Sequence, residues 1–233
     1  MTIINGGVMP EACVLAIGKF EGMHLGHQAL LTQVAQQAGL MQLASAAMVF
    51  DPHPYNFFND PGYKPLFTNY ERNHLLDLDY LYYCHFDKNF AALSAEDFCK
   101  FLFVDCKAKL VIVGENYRFG KGRTGDTTFL YNEAMRYGAE VQILPTQNIN
   151  NNVISTSNIR NLIAKGKLRE ARQLLGFPFF AMGVIKNNAL HLPDDKFLPP
   201  AGAYKTNTIT DGENVKIEFL EFWDFYKITP FDE

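Results

Sequence analysis

"ACVLAIGKFEGMHLGHQALLTQVAQQAGL", residues 12–40, decides the fold. Its first seven residues are a short apolar run ending on glycine, the length and composition of a buried strand. From Gly26 onward, Leu30, Leu31, Val34, Ala35 and Ala38 recur at helical spacing, and Gly39 stops the pattern. The turn between strand and helix holds Gly18, Gly22, His24 and His27.

Those residue types suit an anion. Gly18 and Gly22 permit a tight turn and close backbone approach to a ligand. A helix beginning near Gly26 presents unsatisfied N–H groups and the positive end of its dipole, both favourable to phosphate. His24 and His27 lie in or beside that first turn, where they can donate hydrogen bonds to developing negative charge. The spacing alone also fits a plainer arrangement, in which one histidine caps the helix and the other faces water.

Working outward, "QLASAAMVF" (42–50), "YLYYCHF" (80–86), "AKLVIVG" (108–114) and "AEVQILP" (139–145) read as further strands. Helices are expected over 94–103, with Ser94 as N-cap, near 127–137 behind an Asp126 cap, and over 155–166 and 168–176. This alternation predicts an α/β chain: a Rossmann-like parallel sheet with helices on both faces. Ligands of such sheets bind beyond the carboxyl ends of the strands. "GKFEGMHLGH", "DPHP" and "GENYRFGKGRTGD" fall there. The glycine-rich part of the last reads as a phosphate loop or as a solvated loop that closes over substrate.

After Gly176 the pattern changes. "FPFFAMGVIKN", "GAYKTNTIT" and "NVKIEFLEF" are short, β-branched or aromatic, and separated by Pro, Asn and Gly. We expect one domain over 1–176 and a small antiparallel β unit over 177–233, with Trp223 packed in it. "NINNN" (148–152) reads as a polar loop, and His74, His85 and His191 as structural or exposed.

With 48% hydrophobic and 20% charged residues, the chain has ordinary globular material for a core. A formal charge of −4 without any long run of Lys and Arg argues against nucleic acid or an anionic membrane as partner. The four cysteines show no metal-ligand spacing, and the expectation is reduced thiols in a cytoplasmic protein. The N-terminus lacks a basic stretch followed by an apolar one, and no apolar run is long enough to cross a bilayer.

A second helix start strengthens the anion reading. "ISTSNIR" (154–160) brings Ser155, Thr156 and Ser157 to a helix N-terminus, with Arg160 one turn in. Hydroxyls and amides there hold phosphate oxygens, and a guanidinium neutralises them. Two such starts in one α/β domain suggest a triphosphate held between two elements.

"GKFEGMHLGH" and "ISTSNIR" together resemble the signature pair of the nucleotidylyltransferase superfamily, G-x-F-D-G-x-H-x-G-H and I-S-S-T-x-x-R. "FDPHP" (50–54) and "VGENYRFGKGRTGD" (113–126) between them resemble the bacterial FAD synthetases, the FMN adenylyltransferase module of bifunctional riboflavin kinase/FAD synthetases. The resemblance covers about residues 10–176. It implies transfer of AMP from ATP to FMN, with Mg²⁺ carried on the substrate phosphates and no metal ligands of the protein's own. It further implies that His24, His27 and Arg160 are catalytic. Gly18, Phe20, Gly26, Ser155 and Thr156 would bind ATP, and Asp51, His53 and Asn116 would lie on the flavin side. Two positions depart from the pattern. Glu21 stands where the family usually has Asp, and Asn158 replaces an Arg of the commoner "SSTR".

Two other readings stay open: a nucleotidylyltransferase with another phosphate acceptor, and a flavin- or nucleotide-binding protein without catalysis. "LREARQLLGFPFFAMGVI" resembles the family's passage into its kinase module, yet no P-T-x-N stretch and no glycine-rich nucleotide loop follow. About half of that module's usual length remains. The expectation is a degenerate remnant without riboflavin kinase activity.

Overall fold

The structure, a computed structural model, describes residues 1–58, 62–146, 148–149, 152–187 and 189–223. The chain divides into two compact units. The first takes Met1–Phe20, Gly26–Tyr63 and Leu76–Gln147; the second takes Glu21–Leu25, Lys64–Leu75 and Asn148–Glu233.

The first unit is built on β1 (Thr2–Asn5), β2 (Cys13–Ile17), α1 (Leu25–Met41), β3 (Ala44–Asp51) and a short α2 (Pro54–Phe58). After α3 (Asn69–Asn73), which belongs to the second unit, come β4 (Tyr80–His85), α4 (Lys88–Ala91) and α5 (Ala95–Lys100). β5 (Ala108–Gly114), α6 (Thr127–Arg136) and β6 (Glu140–Leu144) complete it. All six strands are parallel, in the order β1-β4-β3-β2-β5-β6. The α/β class and parallel sheet read from the sequence are therefore found. β1 and the short α2, α3 and α4 went unread because each is too brief to show a period.

Alternating strand residues account for the sheet's burial. Cys13, Leu15, Ile17, Met48, Tyr82, Cys84, Val111 and Val113 share one core with Phe98, Cys99, Leu102, Leu130 and Ala134. Their neighbours of opposite parity, among them Val14, Ala16, Ala47, Val49, Leu81 and Ile112, are buried too. In α1, Leu30, Leu31, Val34 and Ala38 form the buried stripe, while Ala35 lies off it and is exposed. The helix read over 94–103 is α5 capped by Ser94 and prolonged by a π-helical turn, Phe101–Asp105. The four cysteines are free and buried, and burial pushes the thiols of Cys13, Cys84 and Cys99 up to about 12.

The second unit holds a two-stranded ribbon, β7 (Asn148–Ile149) with β8 (Asn152–Val153), where a loop was expected. α7 (Thr156–Ala164) and α8 (Leu168–Leu175) follow. An antiparallel sheet then runs in the order β10-β9-β12-β11, from β9 (Phe179–Lys186), β10 (Ala189–His191), β11 (Ala203–Asp211) and β12 (Asn214–Trp223). This is the antiparallel β unit read beyond Gly176; the Trp223 side chain lies outside what is described. Leu168, Ala171, Leu174 and Leu175 bury one face of α8, which packs on β9 and β12, and Gly176 ends it in the left-handed region. Phe67, ahead of α3, packs on Phe177, Phe179 and Phe180 at centroid distances of 4.9–5.8 Å.

A buried ion pair sits beside these rings. Lys196 Nζ lies 2.9 Å from Glu71 Oε2, and neither side chain is exposed. Glu71 also accepts from the Met182 and Thr68 amides, at 2.7 and 2.8 Å, and completes a capping box on α3. Lys196 donates to the Leu66 carbonyl and stands 4.6 and 4.5 Å from the Phe67 and Phe179 ring centres. Burial pulls its ammonium down to about 8, against the attraction of Glu71.

Candidate functional site

The sheet order creates a crevice in the first unit. From β2 the chain crosses by α1 to β3 on one side, whereas from β5 it crosses by α6 to β6 on the other. The loops after β2 and β5 therefore flank a switch point at the carboxyl ends of the strands, where open α/β sheets bind ligands.

The loop after β2 is strained and tightly packed. Phe20 and Met23 have φ of 46° and 42°, in the left-handed region that bulky side chains avoid at a cost of about 1–2 kcal/mol each. Packing holds them there. Phe20 is fully buried, with its ring edge-on to His27 at 5.2 Å. A Cβ on Gly18 would lie 3.0 Å from the Phe20 ring, a contact that would push the ring away. Phe20, expected on the nucleotide side, lies buried in this loop. α1 begins at Leu25 with no acidic side chain in its first turn. Gly26 and His27 are its second and third residues.

Glu21–Leu25 belong to the second unit, and there they meet α7. Arg160 Nη2 donates to Glu21 Oε1 at 2.9 Å, with the side chains 23% and 4% exposed. The same nitrogen donates to the Lys64 carbonyl at 2.5 Å, and the guanidinium carbon sits 4.4 Å over the Phe197 ring. Glu21 also accepts from the Leu66 amide at 3.1 Å. A Cβ on Gly22 would come within 3.0 Å of Thr156 Oγ1 and 3.6 Å of the His24 ring, which explains the second glycine. His24 is buried, and burial lowers its imidazole to about 4, so it is neutral at pH 7. Ser155 is the N-cap of α7; its side chain accepts from the Asn158 amide at 3.2 Å.

The flavin-side candidates are placed more openly. Asp51 is exposed at the end of β3. His53 stacks on Tyr63 at 5.5 Å, and its Nδ1 accepts from the Tyr55 amide. Asn116 is exposed beyond β5, held by Thr146 Oγ1 at 3.0 Å, while Thr146 donates its amide to Glu115. Backbone hydrogen bonds hold the glycine-rich stretch, whose residues 121–124 are exposed. Phe119 and Gly125 exchange two backbone hydrogen bonds, and the Lys121 amide donates to the Leu93 carbonyl. His74, His85 and His191 are exposed.

Within the first unit, Gly18, Phe20 and His27 are thus brought together. Within the second, Glu21, Gly22 and His24 gather with Thr156 and Arg160. Sequence reading noted Glu21 only as a departure and missed its role as partner of Arg160. It had no signal for Lys64, Phe197 or the Glu71–Lys196 pair, whose meaning depends on contacts between residues far apart in the chain. Only the capping box, Thr68 with Glu71, was written locally. Among the described residues, no group of three His, Cys, Asp or Glu side chains is arranged to hold a metal. No described helix is long and apolar enough to cross a membrane.

Comparison with known proteins matches residues 8–158 to the FAD synthetase family. An FAD synthetase of Listeria monocytogenes is 29% identical over 89% of this chain and 87% of its own length. A bifunctional riboflavin kinase/FMN adenylyltransferase of the same organism is 34% identical over 86% of this chain and 69% of its own. The corresponding bifunctional protein of Escherichia coli (strain K12) is 35% identical over 74% of this chain, which spans 57% of that relative. A crystal structure from Streptococcus pneumoniae, described as a macrolide-efflux protein, aligns with a TM-score of 0.84 over all of this chain and 94% of its own. At 23% identity, that last likeness is one of fold.

Proposed function

Because the chain belongs to the FAD synthetase family, we propose that it transfers the AMP moiety of ATP to FMN, giving FAD and pyrophosphate, and that it does not phosphorylate riboflavin. The observation that carries the reading is the junction of two distant motifs. Glu21 and Gly22 of the first meet Arg160 and Thr156 of the second.

The chemistry follows from these groups. A phosphate oxygen of FMN attacks the α-phosphorus of ATP in line, the bond to the β-phosphate oxygen breaks, and pyrophosphate departs. The nucleophile is already an anion, so no covalent intermediate is needed. The protein's task is positioning and charge stabilisation. His24, neutral at pH 7, serves as a hydrogen-bond donor to phosphate oxygen, and His27 does the same from the first turn of α1. The free amides at a helix start suit phosphate, near Gly26 for α1 and near Thr156 for α7. Arg160, its Nη2 fixed by Glu21 and Lys64, neutralises the polyphosphate. Gly18 and Phe20 shape the turn. Asp51, His53 and Asn116 receive the flavin side.

Mg²⁺ is a hard cation that in such sites takes substrate phosphate oxygens and water, and it would be carried on the ATP phosphates. When bound it supplies neutralisation of charge on the polyphosphate. The nucleotidylyltransferase domain spans residues 1–176, with 177–233 as a degenerate kinase-like unit. The setting is the cytoplasm, where the buried thiols stay reduced.

The test is incubation with FMN, ATP and Mg²⁺, followed by chromatography and a pyrophosphate assay. FAD and pyrophosphate in equal amounts are expected. No FAD above a control without protein overturns the activity and leaves a binding protein.

A further inference from the structure

The geometry points to Phe197, in the segment between β10 and β11, as a positioning residue for adenylyl transfer: its ring fixes the Arg160 guanidinium where the ATP polyphosphate is received. This inference rests on the reading of Arg160 as a phosphate ligand. It gives part of the unit beyond Gly176 a direct share in the reaction at the older motif.

The contacts form a single setting around three consecutive residues. The Lys64 carbonyl accepts from Arg160 Nη2. The Pro65 carbonyl accepts from the Phe197 amide at 3.0 Å. The Leu66 amide donates to Glu21 at 3.1 Å, and the Leu66 carbonyl accepts from Lys196 Nζ. The strip 64–66 thus binds Arg160 and its carboxylate partner with one set of backbone groups, and Lys196 and Phe197 with the other. Lys196 is locked by the wholly buried Glu71, and its amide donates to the Pro193 carbonyl at 3.2 Å. Phe197 is therefore held in place on both sides, with its ring 4.4 Å from the guanidinium carbon. That is the distance and geometry of a cation–π contact. A guanidinium stem has many rotamers, and each rotamer excluded before ATP arrives is entropy not lost on binding.

The experiment compares wild type with Phe197→Leu, which keeps apolar bulk and removes the aromatic face, and with Phe197→Tyr, which restores the face. MgATP binding is measured by calorimetry. The Leu variant is expected to bind MgATP roughly three- to tenfold more weakly, the range of a partly desolvated cation–π contact. KM for ATP rises in step, KM for FMN and the thermal midpoint hold, and the Tyr variant recovers most of the loss. Unchanged MgATP affinity in the Leu variant overturns the inference, as does equal loss in the Tyr variant or a parallel rise in KM for FMN. If the wild type binds MgATP but forms no FAD, the proposed activity falls while the affinity comparison still decides Phe197. If it forms FAD and Phe197→Leu binds MgATP normally, only the present inference falls. A wild type that does not bind MgATP overturns both.

Discussion

Arg160 Nη2 lies 2.9 Å from Glu21 Oε1, a contact between residues 139 positions apart in the chain. Glu21 is the residue at which the sequence departs from the family's usual Asp. Its longer side chain reaches the guanidinium and the Leu66 amide together. The departure therefore keeps a carboxylate on the arginine. With Glu21 almost wholly buried, loss of either partner strands a charge or a donor. In a double-mutant cycle of Glu21→Ala and Arg160→Ala read by urea denaturation, we expect a coupling of about 1–3 kcal/mol. Additivity within about 0.5 kcal/mol would show that the pair does not act as a unit.

His24 and His27 differ in setting, and their variants should separate function from folding. Removing one preorganised donor to developing oxyanion charge typically costs about 10²–10³ in turnover. We expect that loss of turnover per folded molecule for His24→Ala and for His27→Ala, with the thermal midpoint nearly unchanged for His27→Ala and lowered for the buried His24. A midpoint many degrees lower with turnover per folded molecule preserved would instead assign the histidines to capping and packing.

Acid should weaken the fold through His24. Its pKa is 6.5 in the unfolded chain and about 4 in the buried site. Between those values the unfolded state binds more protons than the native state, so stability falls as pH falls through that window and is unaffected above it. The shift corresponds to about 3 kcal/mol once pH is well below 4. Urea midpoints from pH 7 to pH 4 should show it, and His24→Gln should flatten that part of the profile. An equally steep profile in the variant would place the acid sensitivity elsewhere.

The buried Lys196–Glu71 pair predicts an asymmetric mutational pattern. Lys196→Met leaves Glu71 buried without its cation, which typically costs about 3–5 kcal/mol. Lys196→Met combined with Glu71→Gln removes both charges and should recover a large part of the loss, since apolar or neutral replacement of a whole buried pair is often tolerated. Chemical denaturation of the three proteins decides it. A double variant no more stable than Lys196→Met alone would mean that Glu71 serves chiefly through the Thr68 and Met182 amides.

How much of this was legible follows from the range of each interaction. The parallel sheet was readable because β2, β3 and β5 are largely buried on both faces and so appear as nearly continuous apolar runs. The caps Ser94, Asp126 and Ser155 were readable because each bonds an amide three residues on. Both halves of the candidate site were visible as motifs. What joined them was not: Glu21 with Arg160, Phe197 under Arg160, and Lys196 with Glu71 are long-range pairs between residue types common in any sequence. The π-helical end of α5 was equally hidden, since its insertion of one residue per turn leaves no compositional mark.

Riboflavin should not be a phosphate acceptor for this chain. Two carboxylates on β12 are paired with cations. Glu218 lies 2.9 Å from Lys216, which holds its carboxyl below the usual range and makes it a weaker base, and Glu221 lies 2.8 Å from Arg169. The β10–β11 segment, where phosphate and metal ligands would be sought, instead buries Lys196 against Glu71 and sets Phe197 beneath Arg160. No Pro-Thr-x-Asn stretch occurs after Gly176. Incubation with riboflavin, ATP and Mg²⁺ should leave riboflavin unchanged, under conditions in which FMN is converted to FAD. FMN or FAD formed from riboflavin would show that these paired carboxylates can be released to act, and that the antiparallel unit carries kinase chemistry of its own.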